Sequence, residues 1–212
     1  MNLKHKTPTT SLLKNLQPLQ IVRGAMGNPN RIEGYGAVFF DSSNPGGTSF
    51  DLRRSAGFIE RFAPGAFDES LAGSESIVSY YNHNAERMLG QTDGGTLSLA
   101  KDDKGIRYSI PFQAGDPDHE YVAGKIQNQI VRGSSIHALV TDFSTSKEQG
   151  QKVVTITRAV LFEIGPVASP AYRSTTAKLR SEFHAHVMAL PDGDDFADRD
   201  FVFREKVFER VN

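Results

Sequence analysis

Apolar residues in this chain fall mostly in short runs bounded by glycine and proline, a pattern that predicts strands rather than long helices. From Arg31 to Phe40, Ile32, Tyr35, Val38 and Phe39 are interleaved with Gly34, Gly36 and Ala37, which reads as a strand closely packed by a neighbour. Asp41 to Gly47 is a turn-rich loop, Phe58 to Phe62 a strand, and Pro64-Gly65 punctuates the chain before a short helix from Ala66 to Leu71. Ile77 to Tyr81 is a strand that ends at Asn82-His83-Asn84. Thr96 to Ala100 and Gly105 to Pro111 form a hairpin around Asp102, Asp103 and Gly105.

Between Asp118 and Ile130 the period changes: Val122, Ile126 and Ile130 recur every four residues, the spacing of one helix face. Strands return at Ile136 to Phe143, Val153 to Ile156 and Ala159 to Ile164, and Pro166, Pro170 and Tyr172 mark a turn. Short helices are predicted at Thr9 to Leu13 and Thr175 to Met188. The fold class is therefore mainly β with a few helices. Short strands in hairpin order favour a closed or nearly closed antiparallel β-barrel over a layered α/β fold.

Composition narrows the function classes. At 212 residues the chain fits one main domain with tails, and its net charge of -1 carries no nucleic-acid or anionic-membrane footprint. Charge is uneven, however. Residues 1–30 form a basic N-terminal arm, a candidate propeptide, and no acid precedes Glu33. Residues 181–212 form an acidic tail, a candidate propeptide or scaffold-binding segment, with five aspartates between Pro191 and Asp200. The main domain spans residues 31–180. No run approaches the roughly 20 apolar residues that cross a bilayer, and no signal-peptide core is present near Met1. Use in cytoplasm is the expectation.

The chain has no cysteine, so disulfides, thiol nucleophiles and cysteine-ligated metals are excluded. Candidate nucleophiles are then serines and threonines, which need a base. Of the six histidines, His5 lies in the arm, and His184 and His186 lack an acid at metalloprotease spacing. His119 sits at a helix start where Asp116 and Asp118 suit capping. No metal and no cofactor is implied. His83, directly after an apolar strand, suits either a scaffold-held functional side chain or an exposed loop histidine. Ser135 follows Arg132-Gly133-Ser134, where glycine permits close approach of backbone N–H groups to a reacting atom. A Ser-Ser pair capping the preceding helix is the competing interpretation.

Four passages in order resemble the prohead maturation proteases of tailed phages, a family related in fold and catalytic plan to the herpesvirus capsid-maturation proteases. They are Gly34-Tyr35-Gly36-Ala37-Val38-Phe39; Glu60 to Phe67 with Ser70-Leu71; Asn82-His83-Asn84 with Leu89-Gly90; and Leu161 to Val167 with Pro170-Ala171-Tyr172. The resemblance implies a serine endopeptidase with His83 as general base and Ser135 as nucleophile, Ser134 being the alternate. The family pattern around the nucleophile continues with glycine and an aromatic, where this chain has His137 and Ala138. His137 shares a strand face with Ser135, so it becomes a pocket candidate and an alternative third member.

Glu163 is the preferred third member, because it interrupts the apolar run Ala159 to Ile164, where a charge is costly unless paired. A pairing with Arg158 or Arg173 at a sheet edge is the competing interpretation, and Asp142 is a weaker candidate. Arg132, Gly133 and Ser134 are oxyanion candidates. The implied partners are the major capsid protein, a scaffold protein or scaffold domain, and a second copy of the chain, inside an assembling procapsid in the bacterial cytoplasm. A non-catalytic barrel serving capsid assembly is the alternative, supported by the altered residues after Ser135.

Overall fold

A computed structural model describes residues 20–23, 29–53 and 57–168. The predicted helices at Thr9 to Leu13 and Thr175 to Met188, Arg173 and the acidic tail lie outside the described residues. Ten strands and two helices follow in the order β1 (Gln20–Arg23), β2 (Pro29–Val38), β3 (Phe50–Asp51), β4 (Ile59–Phe62), α1 (Asp68–Ala72), β5 (Val78–Tyr81), β6 (Asn84–Gln91), β7 (Ser98–Lys101), β8 (Gly105–Pro111), α2 (Pro117–Gln127), β9 (Gly133–Glu148) and β10 (Gln151–Val167).

The fold is mainly β with few helices, as the sequence predicts. Successive strands pair as antiparallel hairpins: β1 with β2, β3 with β4, β5 with β6, β7 with β8, and β9 with β10. Among the described residues the first strand begins at Gln20, earlier than Arg31, and β1 pairs with β2.

Among the described residues no sheet closes on itself into a barrel. The described strands make a four-stranded sheet, β1-β2-β8-β7, and a six-stranded sheet, β3-β4-β10-β5-β6 with β9 beside β10. Nor is the second sheet wholly antiparallel, since β10 runs parallel to both β4 and β5. Those pairings join segments about 90 residues apart in sequence, and local hydrophobic alternation carries no information about such partners.

The two sheets pack face to face. A Cβ on Gly36 of β2 would lie 2.3 Å from Cγ1 of Ile164 and 3.0 Å from Cγ2 of Ile136, so only glycine lets β2 cross β9 and β10 this closely. Ile32, Ile106, Tyr108, Leu161 and Ile164 fill the interior with at most 1% of their surface exposed. Helix α2 closes one side with Val122 and Ile126. It is capped by Asp116, whose carboxylate accepts from the N–H groups of Asp118 and His119. Ile130 falls beyond the helix and is exposed, contrary to the four-residue spacing.

Candidate active site

β5 and β6 are joined by two residues only, Asn82 and His83, with Tyr81 opposite Asn84. Both linking residues are left-handed, φ 55° and 58°, as the tightest hairpin turns require. Asparagine and histidine are enriched among the few side chains that tolerate this region. The turn is tied to the end of β10: the Asn82 N–H donates to the Pro166 carbonyl at 3.1 Å, and Asn82 Oδ1 accepts from the Ala168 N–H at 2.7 Å. His83 is thereby held over β10 by backbone that cannot swing freely.

β10 supplies the facing carboxylate. Glu163 Oε1 lies 2.9 Å from His83 Nδ1, and Glu163 Oε2 lies 3.8 Å from His137 Nδ1. Only 4% of Glu163 is exposed. Its burial pushes the carboxyl pKa up, but His137 and His83 outweigh that penalty and hold it below the ordinary carboxylate value. A carboxylate only accepts, so Nδ1 of His83 carries the proton and Nε2 of the neutral ring presents a lone pair. The His83 and His137 rings stand edge to face, 6.3 Å apart.

Ser135 joins this group through register. On the β9–β10 ladder Ser135 pairs with Gly165 and His137 with Glu163, and directly paired residues share a sheet face. Ser135, His137 and Glu163 therefore lie on one face, away from Ile136 and Ile164, which face the interior. Gly165 leaves the position beside Ser135 without a side chain. A Cβ there would lie 2.5 Å from the Tyr80 carbonyl oxygen and 2.8 Å from Ser79 Oγ. No hydrogen bond joins Ser135 to His83 in this structure.

The other candidates separate from this cluster. Ser134 alternates to the opposite face of β9, where its hydroxyl bonds to the Tyr108 hydroxyl at 2.9 Å. Tyr108 is fully buried, which raises its pKa against the lowering effect of that bond. Arg132 is exposed, and Gly133 is buried opposite Val167 at the start of β9. Asp142 pairs with Arg158, roughly 16 Å along the strand from His137 at ordinary strand rise. Arg158 bonds to Glu69 at 3.1 Å and leaves Glu163 to the histidines. His119 is buried and accepts the Gln113 N–H at 3.3 Å, a structural role.

Sequence reasoning missed what Asn82 and Ser70 contribute. For Asn82 the signal was present, an asparagine in a tight turn between strands. Ser70 sits on α1, and its hydroxyl accepts the Leu161 N–H at 2.8 Å, two residues before Glu163; nothing local in the sequence points to that bond.

An imidazole oriented by a buried carboxylate, on the sheet face that carries a serine, is equipped for general-base activation of a hydroxyl. Searches of curated proteins and of solved structures return no match. Residues 20–189, however, match the Caudovirus prohead serine protease family. The chain belongs to that family, and it is a serine peptidase of phage capsid maturation.

Proposed function

We propose that the chain is an endopeptidase that cleaves capsid and scaffold proteins, and itself, within the procapsid, using Ser135, His83 and Glu163. The observation that carries this reading is the 2.9 Å contact of His83 Nδ1 with Glu163 on the face that bears Ser135.

His83 Nε2 takes the Ser135 hydroxyl proton as the oxygen attacks a peptide carbonyl. Glu163 keeps the ring in the required tautomer and stabilises the imidazolium that forms. The tetrahedral intermediate collapses to an acyl-enzyme as His83 protonates the departing amine. His83 then deprotonates a water that releases the acyl group. Backbone N–H groups near Gly133 and Ser135, with Arg132, are the proposed oxyanion donors. The His83–Ser135 bond closes when substrate excludes water, since such bonds are often long in unliganded sites.

The likeness in plan to the herpesvirus capsid-maturation proteases, with a nearly closed barrel, belongs to the same proposal and is supported by the face-to-face packing of the sheets. So do the domain limits, with residues 31–180 as the protease domain, residues 1–30 as the arm from which a propeptide is cut, and residues 181–212 as a propeptide or scaffold-binding segment. Because β1 at Gln20–Arg23 is part of a sheet, removal that spares the sheet cuts before Gln20.

The test is to express the full chain with its Ser135→Ala and His83→Ala forms and to follow intact mass during incubation. The parent trims and both variants stay whole. Equal trimming of all three overturns the assignment.

A further inference from the structure

β9 pairs along nearly the whole of β10, so β4 and β5 must share the opposite edge. β4 covers Val153 to Ile156, and β5 is paired at Glu163. Between them β10 has no strand partner on that edge. The chain leaving β4 fills the gap: the Ala63 N–H donates to the Ile156 carbonyl at 2.9 Å, the Ala159 N–H to the Ala66 carbonyl at 2.7 Å, and the Leu161 N–H to Ser70 Oγ at 2.8 Å. Ser70 is the one side chain in this series.

Directly after the bond to Ser70 the ladder slips. Leu161 pairs with Ala138 and Glu163 with His137, so Phe162 and Glu163 together oppose a single residue. This is a β-bulge, and bulges re-aim side chains. Strict alternation would place Glu163 on the same side as Leu161, which is 1% exposed in the core. The bulge turns it to the opposite side, toward His83 and His137.

We infer that Ser70 is a positioning residue, whose hydroxyl anchors Leu161 and so holds the bulge that aims Glu163 at His83. This rests on the proposed roles of His83 and Glu163. Removing the hydroxyl leaves a buried N–H without a partner, which alternative backbone arrangements at the bulge would relieve.

The test uses the full chain and pairs Ser70→Thr with Ser70→Val, similar in shape and differing in the hydroxyl. The first readout is the proton resonance of His83 Nδ1–H, recorded in a Ser135→Ala background so that the chain stays whole and assigned by its loss in His83→Gln. The second is turnover of a peptide substrate in the Ser135 form. S70T is expected to keep the resonance and the rate. S70V is expected to shift or lose the resonance and to lower kcat by up to about 100-fold with KM little changed, the scale of a small misplacement. S70V indistinguishable from S70T, or S70T failing to preserve either readout, overturns the inference. The resonance does not require turnover, so it judges Ser70 even if the Ser135 mechanism fails.

Discussion

Glu163 and His83, 80 residues apart in sequence, meet at 2.9 Å because a bulged strand and a two-residue hairpin turn are tied to one another. Neither side chain owes its place to its immediate neighbours alone. The Asn82 bonds to Pro166 and Ala168 couple the turn to the end of β10, only a few residues beyond Glu163.

Replacing Glu163 by Gln should remove the charge that orients and stabilises the imidazolium while keeping the side-chain shape. The expected loss is about 100- to 10,000-fold in kcat, with KM little changed. Peptide turnover by the purified variant measures it, and near-parental kcat would remove Glu163 from the mechanism.

Acid stability should report the same carboxylate. Its ordinary value is 4.5, and although burial raises it, the two histidines hold it lower in the fold. A group depressed on folding stabilises the fold above its unfolded value, and that contribution is lost as pH falls through the folded value. Urea midpoints of the Ser135→Ala protein should therefore fall more steeply below about pH 5 than those of the same protein carrying Glu163→Gln. Parallel curves would contradict the depressed value.

Ser134→Ala should trim itself at close to the parental rate, because Ser134 faces the interior and bonds to Tyr108. Its cost belongs to stability, about 1–2 kcal/mol for the buried tyrosine hydroxyl left without that partner. Comparing self-cleavage with denaturant unfolding separates the two effects, and a whole chain that fails to trim would point to Ser134 as nucleophile.

Gly165→Ala sets a methyl group against the Tyr80 carbonyl oxygen, 2.5 Å away, and that oxygen is backbone with little room to retreat. A destabilisation of about 1–3 kcal/mol is expected. Because β5 leads into the His83 turn, activity should fall as well. Chemical denaturation and peptide turnover on the same preparation test both, and unchanged stability would mean that β5 yields easily.

The local pattern made much of this chain legible. Alternation and glycine-proline punctuation predict most of the strands and the β7–β8 hairpin, although β9 and β10 run on beyond the segments expected for them. Strand β6 escaped because Asn84 to Glu86 is exposed and no apolar alternation marks its first half. Ile130 misled because four-residue spacing extends past the end of α2. Glu163 was legible as a charge that needed a partner, and the structure supplies two histidines instead of Arg158.

By itself the sequence determined the mainly β character, most of the strands and the family, and it put forward His83, Ser135 and Glu163 as candidates, since these depend on residue type and the order of short motifs. The tertiary structure decided which face each residue occupies and which partner it meets. Parallel pairing of β10 with β4 and β5, the insertion of Ser70, and the bulge at Phe162 are set by hydrogen bonds between distant segments. A one-residue change of register moves a side chain to the other face of a sheet, and at Phe162 that step separates a carboxylate in the core from one that bonds to His83.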